Sequence, residues 1–530
     1  MASKYLVKAK EYKVKDGDTR DSIAAEAGIS WGELARFNWG TDDPDEVNKS
    51  LRNKVGCLKK DYNDKDYSFS KDDDPGIIYF PEEFPKKNYA DSQTHNIKVK
   101  VPAVKSFKPA DCVVNFRPAD KWNGEYGFDW MREGDYPVCI GANQIFADLK
   151  FENVMGRYWV KKKDGTWIIQ PDGNAYKGDR PFDKDPAMFK SLETEYQKKD
   201  IDLLSDASKK CKCFYTSYLN LFLNDKDFKL PRKITMQAFI KVEAAPEQLI
   251  FKYDSNYLDI SPKVLPKSTQ NINIDITCTK ELDDDKEIEV RSIFRDDKNI
   301  SRDILVGKMI VLKNSKANRK TVKVLLVKVL TPALSSMGEA RGNPDGNLGF
   351  VERILQQALI SPMVDKIDLD FTKNDKLSKD FTDNYAKGSK LLSDGLKNSG
   401  KGLHIYCLDE LAKEIKDFNT KYSKHLKAFY FGVDSAEGLY GYSSGYSVVV
   451  FGNAVESTAV HEWLHSLGLP HTFDGSGKFT YQYPKTENIM DYTHHLATNA
   501  ATQYYKKSRI SLYHWQWGIA HGNSLTQTEK

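Results

Sequence analysis

The stretch from His461 to His471 reads His-Glu-Trp-Leu-His-Ser-Leu-Gly-Leu-Pro-His, and it constrains the fold more tightly than any other part of the chain. His461 and His465 are four residues apart, so on a helix they lie one turn apart on the same face. Two imidazoles so placed can hold one metal ion, and Glu462 between them can work on a water that the metal activates. Gly468 predicts that the chain leaves this helix through a left-handed residue. His471 then swings back as a third ligand. Three neutral nitrogens with an open fourth position suit a catalytic zinc, whereas a structural zinc is closed by four protein ligands.

A bare His-Glu-x-x-His arises by chance on ordinary helices. The third histidine, the glycine at the turn and a second feature set this one apart. That feature is Glu487-Asn488-Ile489-Met490-Asp491-Tyr492, which begins sixteen residues after His471. His-Glu-x-x-His-x-x-Gly-x-x-His followed by a methionine turn resembles the signature of the metzincin metalloproteases. Within that clan, His471-Thr472-Phe473 and Asn488-Ile489-Met490-Asp491-Tyr492 are most similar to the pappalysin family. The resemblance implies a zinc endopeptidase in which Met490 forms an apolar floor beneath the metal. It also implies that Tyr492 binds zinc at rest and steadies the oxyanion during reaction. Leu464 stands where the family usually has glycine, a change that alters packing and removes no ligand.

At the other end of the chain, Tyr12 and Val14 alternate as a short strand. Gly17-Asp18-Thr19 turns into a helix with Thr19 as N-cap, and Ile23, Ala24 and Ala27 mark its apolar side. Gly28 ends that helix, and Ser30 caps a second one carrying Leu34 and Phe37. A closing strand is predicted at Ile77-Ile78-Tyr79-Phe80-Pro81. This order resembles the LysM domain, a small βααβ module that binds N-acetylglucosamine polymers such as peptidoglycan. The resemblance rests on Tyr12-Lys13-Val14, Gly17-Asp18-Thr19, Ser22-Ile23-Ala24, Gly28-Ile29-Ser30, Leu34 and Asn38. It implies glycan binding around Gly17, Asp18 and Thr19, or a plain docking role. Two features depart from the pattern: Arg20 replaces an apolar residue, and residues 40–75 form a long, charged insertion. Within that insertion, Lys59 to Asp74 reads as a solvated loop.

Residues 91–110 have linker composition. Between 111 and 230 the chain is aromatic and rich in turns, with a hairpin signal where Lys163-Asp164-Gly165 separates Tyr158-Trp159-Val160 from Thr166-Trp167-Ile168-Ile169. Trp122, Tyr126, Phe128 and Trp130 suit either sugar binding or packing in a small β core. Strand-like runs recur at Met236–Val242, Gln248–Tyr253, Asn271–Thr277, Glu287–Phe294, Ile304–Leu312 and Thr321–Val329. Their alternation predicts an antiparallel, immunoglobulin-like β-sandwich serving as a spacer or docking surface.

Thr331–Asn347 again has linker composition and leads into a half where helices alternate with strands. The expected elements there are helix Phe350–Leu359, strand Ile367–Phe371 and a helix presenting Leu411, Ile415 and Phe418. Strand Ala428–Val433, the buried run Ser447–Phe451 and the His461 helix follow. Ile510, Tyr513, Trp517 and Ile519 suggest a closing amphipathic helix. Leu439 to Tyr446, and within it Leu439, Tyr440, Gly441 and Tyr442, is the candidate edge strand for an extended peptide substrate. His494 and His495 follow the methionine turn and read as exposed surface residues, with lining of a substrate cleft as the alternative, while His514 and His521 read as structural.

The expected architecture is therefore multidomain. It comprises a LysM-like module (1–90), a β-rich domain (91–230), an immunoglobulin-like sandwich (231–335) and an α+β metzincin-like peptidase domain (345–530). A net charge of +4 gives no nucleic-acid footprint, and no run approaches the roughly 18 apolar residues of a membrane span. Seven cysteines, sparse and odd in number, suggest no disulfide framework. The opening Met-Ala-Ser-Lys-Tyr-Leu-Val-Lys-Ala-Lys lacks the apolar run of a secretory leader. Together with a wall-type module, that suggests a bacterial protein made in the cytoplasm and exported without a signal peptide, as an effector of a type VI-like injection machine. Such a protease would have a target-cell protein as substrate, and a secretion-machine component or immunity protein as partner. The alternatives are a peptidoglycan peptide hydrolase, a cytosolic housekeeping protease and a non-catalytic adaptor of the machine.

Overall fold

The computed structural model describes residues 8–60, 66–82, 111–120, 122–134, 138–139, 145–146, 149–169, 181–201, 213–222, 232–295, 300–396, 400–492 and 509–529. The expected linker at 91–110, together with His494 and His495, lies outside the described residues. The chain divides into two compact units, the first built on Met1–Pro109 and the second on most of Ala110–Lys530.

In the first unit, strand β1 (Lys8–Lys13) is followed by helices α1 (Arg20–Ala27), α2 (Trp31–Trp39) and α3 (Pro44–Ser50). One π-helical turn (Leu51–Val55) and strand β2 (Ile77–Glu82) complete it. β2 pairs antiparallel with β1, from Lys8 opposite Glu82 to Lys13 opposite Ile77. Both expected caps form. Thr19 and Ser22 make a reciprocal capping box, as do Ser30 and Glu33, and Gly28 closes α1 in the left-handed region at φ 72°. The Asn38 amide bonds the backbone of Tyr79 in both directions at 2.8 Å, which ties α2 to β2.

The charged insertion differs from expectation. Val47, Leu51, Val55, Cys57 and Phe69 all enter the core of this unit, and Asp73 is buried with Ser70. The region beyond Lys59 is thus no simple solvated loop. Its charges alternate with a few apolar residues that the overall polarity masks. Arg20, the residue out of pattern, bonds Asn48 of α3 at 2.6 Å and pairs with Asp66 at 3.1 Å. The substitution and the insertion therefore answer one another.

The second unit begins with β3 (Asp111–Pro118) and β4 (Gly127–Asp129). A small group then follows: β5 (Gly156–Lys161), β6 (Trp167–Ile169), β7 (Phe182–Lys184) and helix α4 (Pro186–Glu195). The sandwich strands are β8 (Ser217–Asn220), β9 (Lys233–Ala244), β10 (Gln248–Lys252), β11 (Leu258–Ser261), β12 (Val264–Leu265), β13 (Gln270–Cys278), β14 (Lys286–Arg295) and β15 (Ser301–Val311). They form two sheets, of order β12-β10-β14-β15-β8-β4 and β11-β13-β9-β3, with Phe116 of β3 stacked against Phe251 of β10.

Two boundaries move. β3, β4 and β8 belong to the sandwich, so it starts near residue 111 rather than 231. Thr321–Val329 leaves it for the next sheet. The three added strands are buried at every residue and so lack the alternation that marks a strand, and the apolar run of Thr321–Val329 does not name its partner. The pairing of β8 with β15 is parallel, unlike the antiparallel pattern expected. Trp122, Tyr126, Phe128 and Trp130 are all buried, so these rings pack and are closed to sugar.

The last sheet is mixed, and β16 (Lys320–Thr331) is its centre. Along one flank β16 runs parallel to β18 (Ile360–Asp370). The other flank is covered in turn by β22 (Thr526–Thr528), β19 (Leu426–Tyr430) and β17 (Ala340–Arg341). Beyond β19 lie β21 (Ser447–Val450), parallel to it, and β20 (Gly441–Ser444), antiparallel to β21 and at the sheet edge. Leu325, Val327 and Val329 pack against Phe381 and Tyr385 of helix α6 (Asp375–Tyr385) and Leu411 of α7 (Leu403–Glu414). The intervening Val324 and Leu326 are equally buried on the opposite face. A strand covered on both faces is what its unbroken apolar run requires.

Helix α5 (Asp345–Gln357) precedes β18, and α8 (Thr458–Ser466) follows β21. The closing helix α9 (His514–His521) is shorter than expected, since Ile510 and Tyr513 precede it. The described cysteines Cys57, Cys112, Cys213, Cys278 and Cys407 are free thiols. Among the described residues, no helix is long and apolar enough to cross a membrane.

Candidate metal centre

α8 is buried nearly all round, with Ala459, Val460, Trp463 and Leu464 fully enclosed, so its position is fixed by packing on every side. At its end the N–H of Gly468 donates to His465 O at 2.9 Å and that of Leu469 to Leu464 O at 3.0 Å. This is a Schellman turn, and Gly468 at φ 90° takes the left-handed position that glycine occupies without strain. The turn sends the chain back so that His471 meets the two helical histidines. Nε2 of His465 lies 3.1 Å from Nε2 of both His461 and His471. Among the described residues these three form the only group of metal-ligating side chains close enough to share an ion.

The outward nitrogens are fixed as well. Nδ1 of His461 faces Ile489 O at 2.9 Å, and Nδ1 of His465 faces Leu469 O at 2.8 Å. At His465 an Nδ1–H donated to the carbonyl leaves Nε2 as a bare acceptor aimed at the common centre, the tautomer a metal ligand needs, while Nδ1 of His461 faces Nη1 of Arg509 at 3.1 Å as well as Ile489 O. The electrostatics agree. Burial first, then the neighbouring His465, Arg509 and His471, drives the His461 pKa well below its ordinary value. Burial likewise lowers His465 and brings His471 to about 2. Three imidazoles kept neutral at such distances fit a divalent cation of the zinc type by donor chemistry.

Glu462 is buried, and burial lifts its pKa to about 7 against the pull of Arg509 and a hydrogen bond with Ser443. A side-chain carbon on Gly441 would stand 3.3 Å from Glu462 Cγ, so the edge strand β20 passes directly over this carboxylate. That strand spans Gly441–Ser444, slightly later than predicted. Leu439 and Tyr440 precede it, and Tyr442 turns inward to accept from the N–H of His404 at 3.3 Å. The ring of Tyr492 lies 4.7 Å from that of His471 and 5.4 Å from that of His461. Met490 is fully buried, and its carbonyl accepts from Thr472 N at 3.2 Å, which joins the methionine turn to the segment after His471.

Sequence reasoning misses Arg509. Its guanidinium is buried, donating to Asp491 O at 2.8 Å and to Ser457 Oγ at 2.6 Å, so it clasps the start of α8 to the methionine turn. Burial lowers its pKa to about 10. No local signal marks this arginine, because its partners come from two distant segments.

The small group β5–β7 with α4 also reaches the centre. Gly156 N donates to Thr480 O at 3.1 Å, Gln482 N to Val154 O at 2.6 Å, and Tyr483 N to Tyr158 Oη at 2.5 Å. Behind it, His514 sits between Asp129 at 3.0 Å and Glu195 at 3.2 Å, stacked on Tyr218. Burial opposes charging His514, but its bonds to Asp129 and Glu195 outweigh burial and raise its pKa. Glu195 is held at about 2, chiefly by that same bond. A histidine whose folded pKa is raised stabilises the fold below its unfolded value near 6.5, and this contribution is lost as pH rises through the folded value. The melting temperature should therefore fall as pH is raised upward from 6.5, and His514→Asn should flatten that slope. Equal slopes in thermal melts of the two proteins would contradict this role for His514.

In the first unit, Asp18 accepts from Tyr12 Oη at 3.0 Å and from Lys15 N at 2.8 Å, while Gly17 takes φ 87°. These two residues of the predicted glycan site thus brace the turn between β1 and α1, with Thr19 serving as the cap. Comparison with known families identifies a LysM domain at residues 12–48. No curated protein matches the chain.

Proposed function

We propose that the chain is a zinc-dependent endopeptidase of metzincin type, most similar to the pappalysin family, and that His461, His465 and His471 hold the metal. The observation that carries this reading is the convergence of three Nε2 atoms beside a buried carboxylate that shares the helix of His461 and His465. Zinc bound there would act as a Lewis acid on the scissile carbonyl and would acidify water. Glu462 takes the proton of the attacking water and passes it to the leaving amine. Tyr492 donates its phenol hydrogen to the oxygen that gathers charge. β20 offers beside Glu462 a backbone edge that pairs with no other strand among the described residues, and an extended peptide adding to it would bring its scissile bond to the histidines.

The LysM domain favours a second reading of the substrate, the peptide stems of peptidoglycan, since a wall-binding module would hold the enzyme on that polymer. For the biological setting we propose a bacterial effector delivered by a type VI-like machine, with a machine component or an immunity protein as partner. Incubating the purified protein separately with casein and with peptidoglycan sacculi separates the readings. Release of casein peptides supports the protein-directed enzyme, and release of stem peptides alone supports the wall-directed one. Activity on neither substrate in zinc-replete protein would count against peptidase function.

A further inference from the structure

The three histidines are not oriented by the same means. His461 and His465 each direct Nδ1 at a backbone carbonyl, whereas His471 has no hydrogen bond at Nδ1 among the described residues. Its ring instead lies flat on Phe473, with centroids 4.8 Å apart and planes 9° apart, and Tyr492 meets it at a steep angle. Phe473 is fully buried. It forms a cluster with Tyr158, and Phe182, Tyr483 and Tyr492 pack around the pair. Tyr158 and Phe182 are 4.9 Å apart and belong to the small sheet of β5–β7, far upstream in sequence. Tyr483 packs edge-on against Phe473 at 5.0 Å, and its backbone N–H is held by the Tyr158 hydroxyl.

We infer that this sheet is a positioning element for the third ligand: the aromatic shelf of Tyr158 and Phe473 orients His471, as the carbonyls of Ile489 and Leu469 orient the other two. The inference rests on the reading of the three histidines as a metal site. An imidazole without a hydrogen bond at its second nitrogen rotates freely unless its faces are packed, and a ligand that rotates is present in binding geometry only part of the time. Tyr158 acts at two points, by its ring within the cluster and by its oxygen on the segment that carries Tyr483. A region whose composition reads only as a small β module thereby becomes part of the metal centre.

The test uses the full chain, stripped of metal with a chelator and refilled with zinc or cobalt. Zinc affinity is read by competition with a chromophoric chelator, and ligand geometry by the visible spectrum of the cobalt form. Phe473→Leu, which preserves apolar bulk but removes the flat face, should bind zinc about 10- to 100-fold more weakly, the usual cost of losing an outer support. Its cobalt spectrum should shift. Tyr158→Ala should act in the same direction, and Tyr158→Phe, which keeps the ring, should recover most of the loss. Circular dichroism identifies any variant that fails to fold, and Phe473→Leu then decides. Folded Phe473→Leu with wild-type affinity and an unchanged cobalt spectrum would overturn the shelf. Wild-type protein that binds neither zinc nor cobalt would overturn the metal site itself, a separate failure.

Discussion

Glu462→Gln should leave zinc content and folding intact and abolish almost all hydrolysis. The amide keeps the size and helix propensity of the carboxylate on α8, and none of the three Nε2 atoms depends on Glu462. What it removes is the group proposed to accept the proton of the attacking water. Loss of a general base costs about 10²- to 10⁴-fold in rate. Zinc analysis and a peptide assay on the same preparation read the two properties separately. If the variant cuts peptide as fast as the wild type, Glu462 is not the base. In a bacterial competition assay the variant should also lose any toxicity of the parent, and toxicity that survives without peptidase activity would place the harm elsewhere.

Arg132→Met should strongly destabilise the second unit. Arg132 is buried between two carboxylates, with Nη1 2.6 Å from Asp129 and Nη2 on Glu487, the first residue of the methionine-turn segment. Asp129 also accepts from Tyr196 Oη at 2.7 Å and from His514 N at 2.8 Å, so one arginine joins segments far apart in sequence. Methionine fills similar space but leaves Asp129 and Glu487 buried without their cation. Removing one member of a buried ionic group costs about 3–5 kcal/mol. Urea denaturation gives the number directly. A loss below about 1 kcal/mol would mean that water or a neighbour compensates both acids.

The centre is legible in the sequence wherever its geometry is local. His461, Glu462 and His465 share one helix, and Gly468 announces the turn that returns His471, so spacing alone predicts that the three histidines converge. The caps of Thr19 and Ser30 are legible for the same reason. Contacts made across the fold are not. Arg509 reaches Ser457 and Asp491, and Tyr158 reaches Tyr483, each through a chain path whose closure no motif records. Strands show the same limit. Lys320–Thr331 is recognisable as a strand, yet its residues carry no information about which sheet receives it, and Asp111–Pro118 gives no alternating signal because every residue of it is buried. The insertion between α2 and β2 hides Val47, Leu51 and Phe69 among charges, and average polarity outweighs the few residues that enter the core.

The most direct test of a zinc peptidase at His461, His465 and His471 is hydrolysis followed while zinc is titrated into chelator-stripped protein. Activity should be absent at the start, rise linearly with added zinc, and break at one equivalent per chain. Full activity before any zinc is added, or none after several equivalents bind, would contradict it.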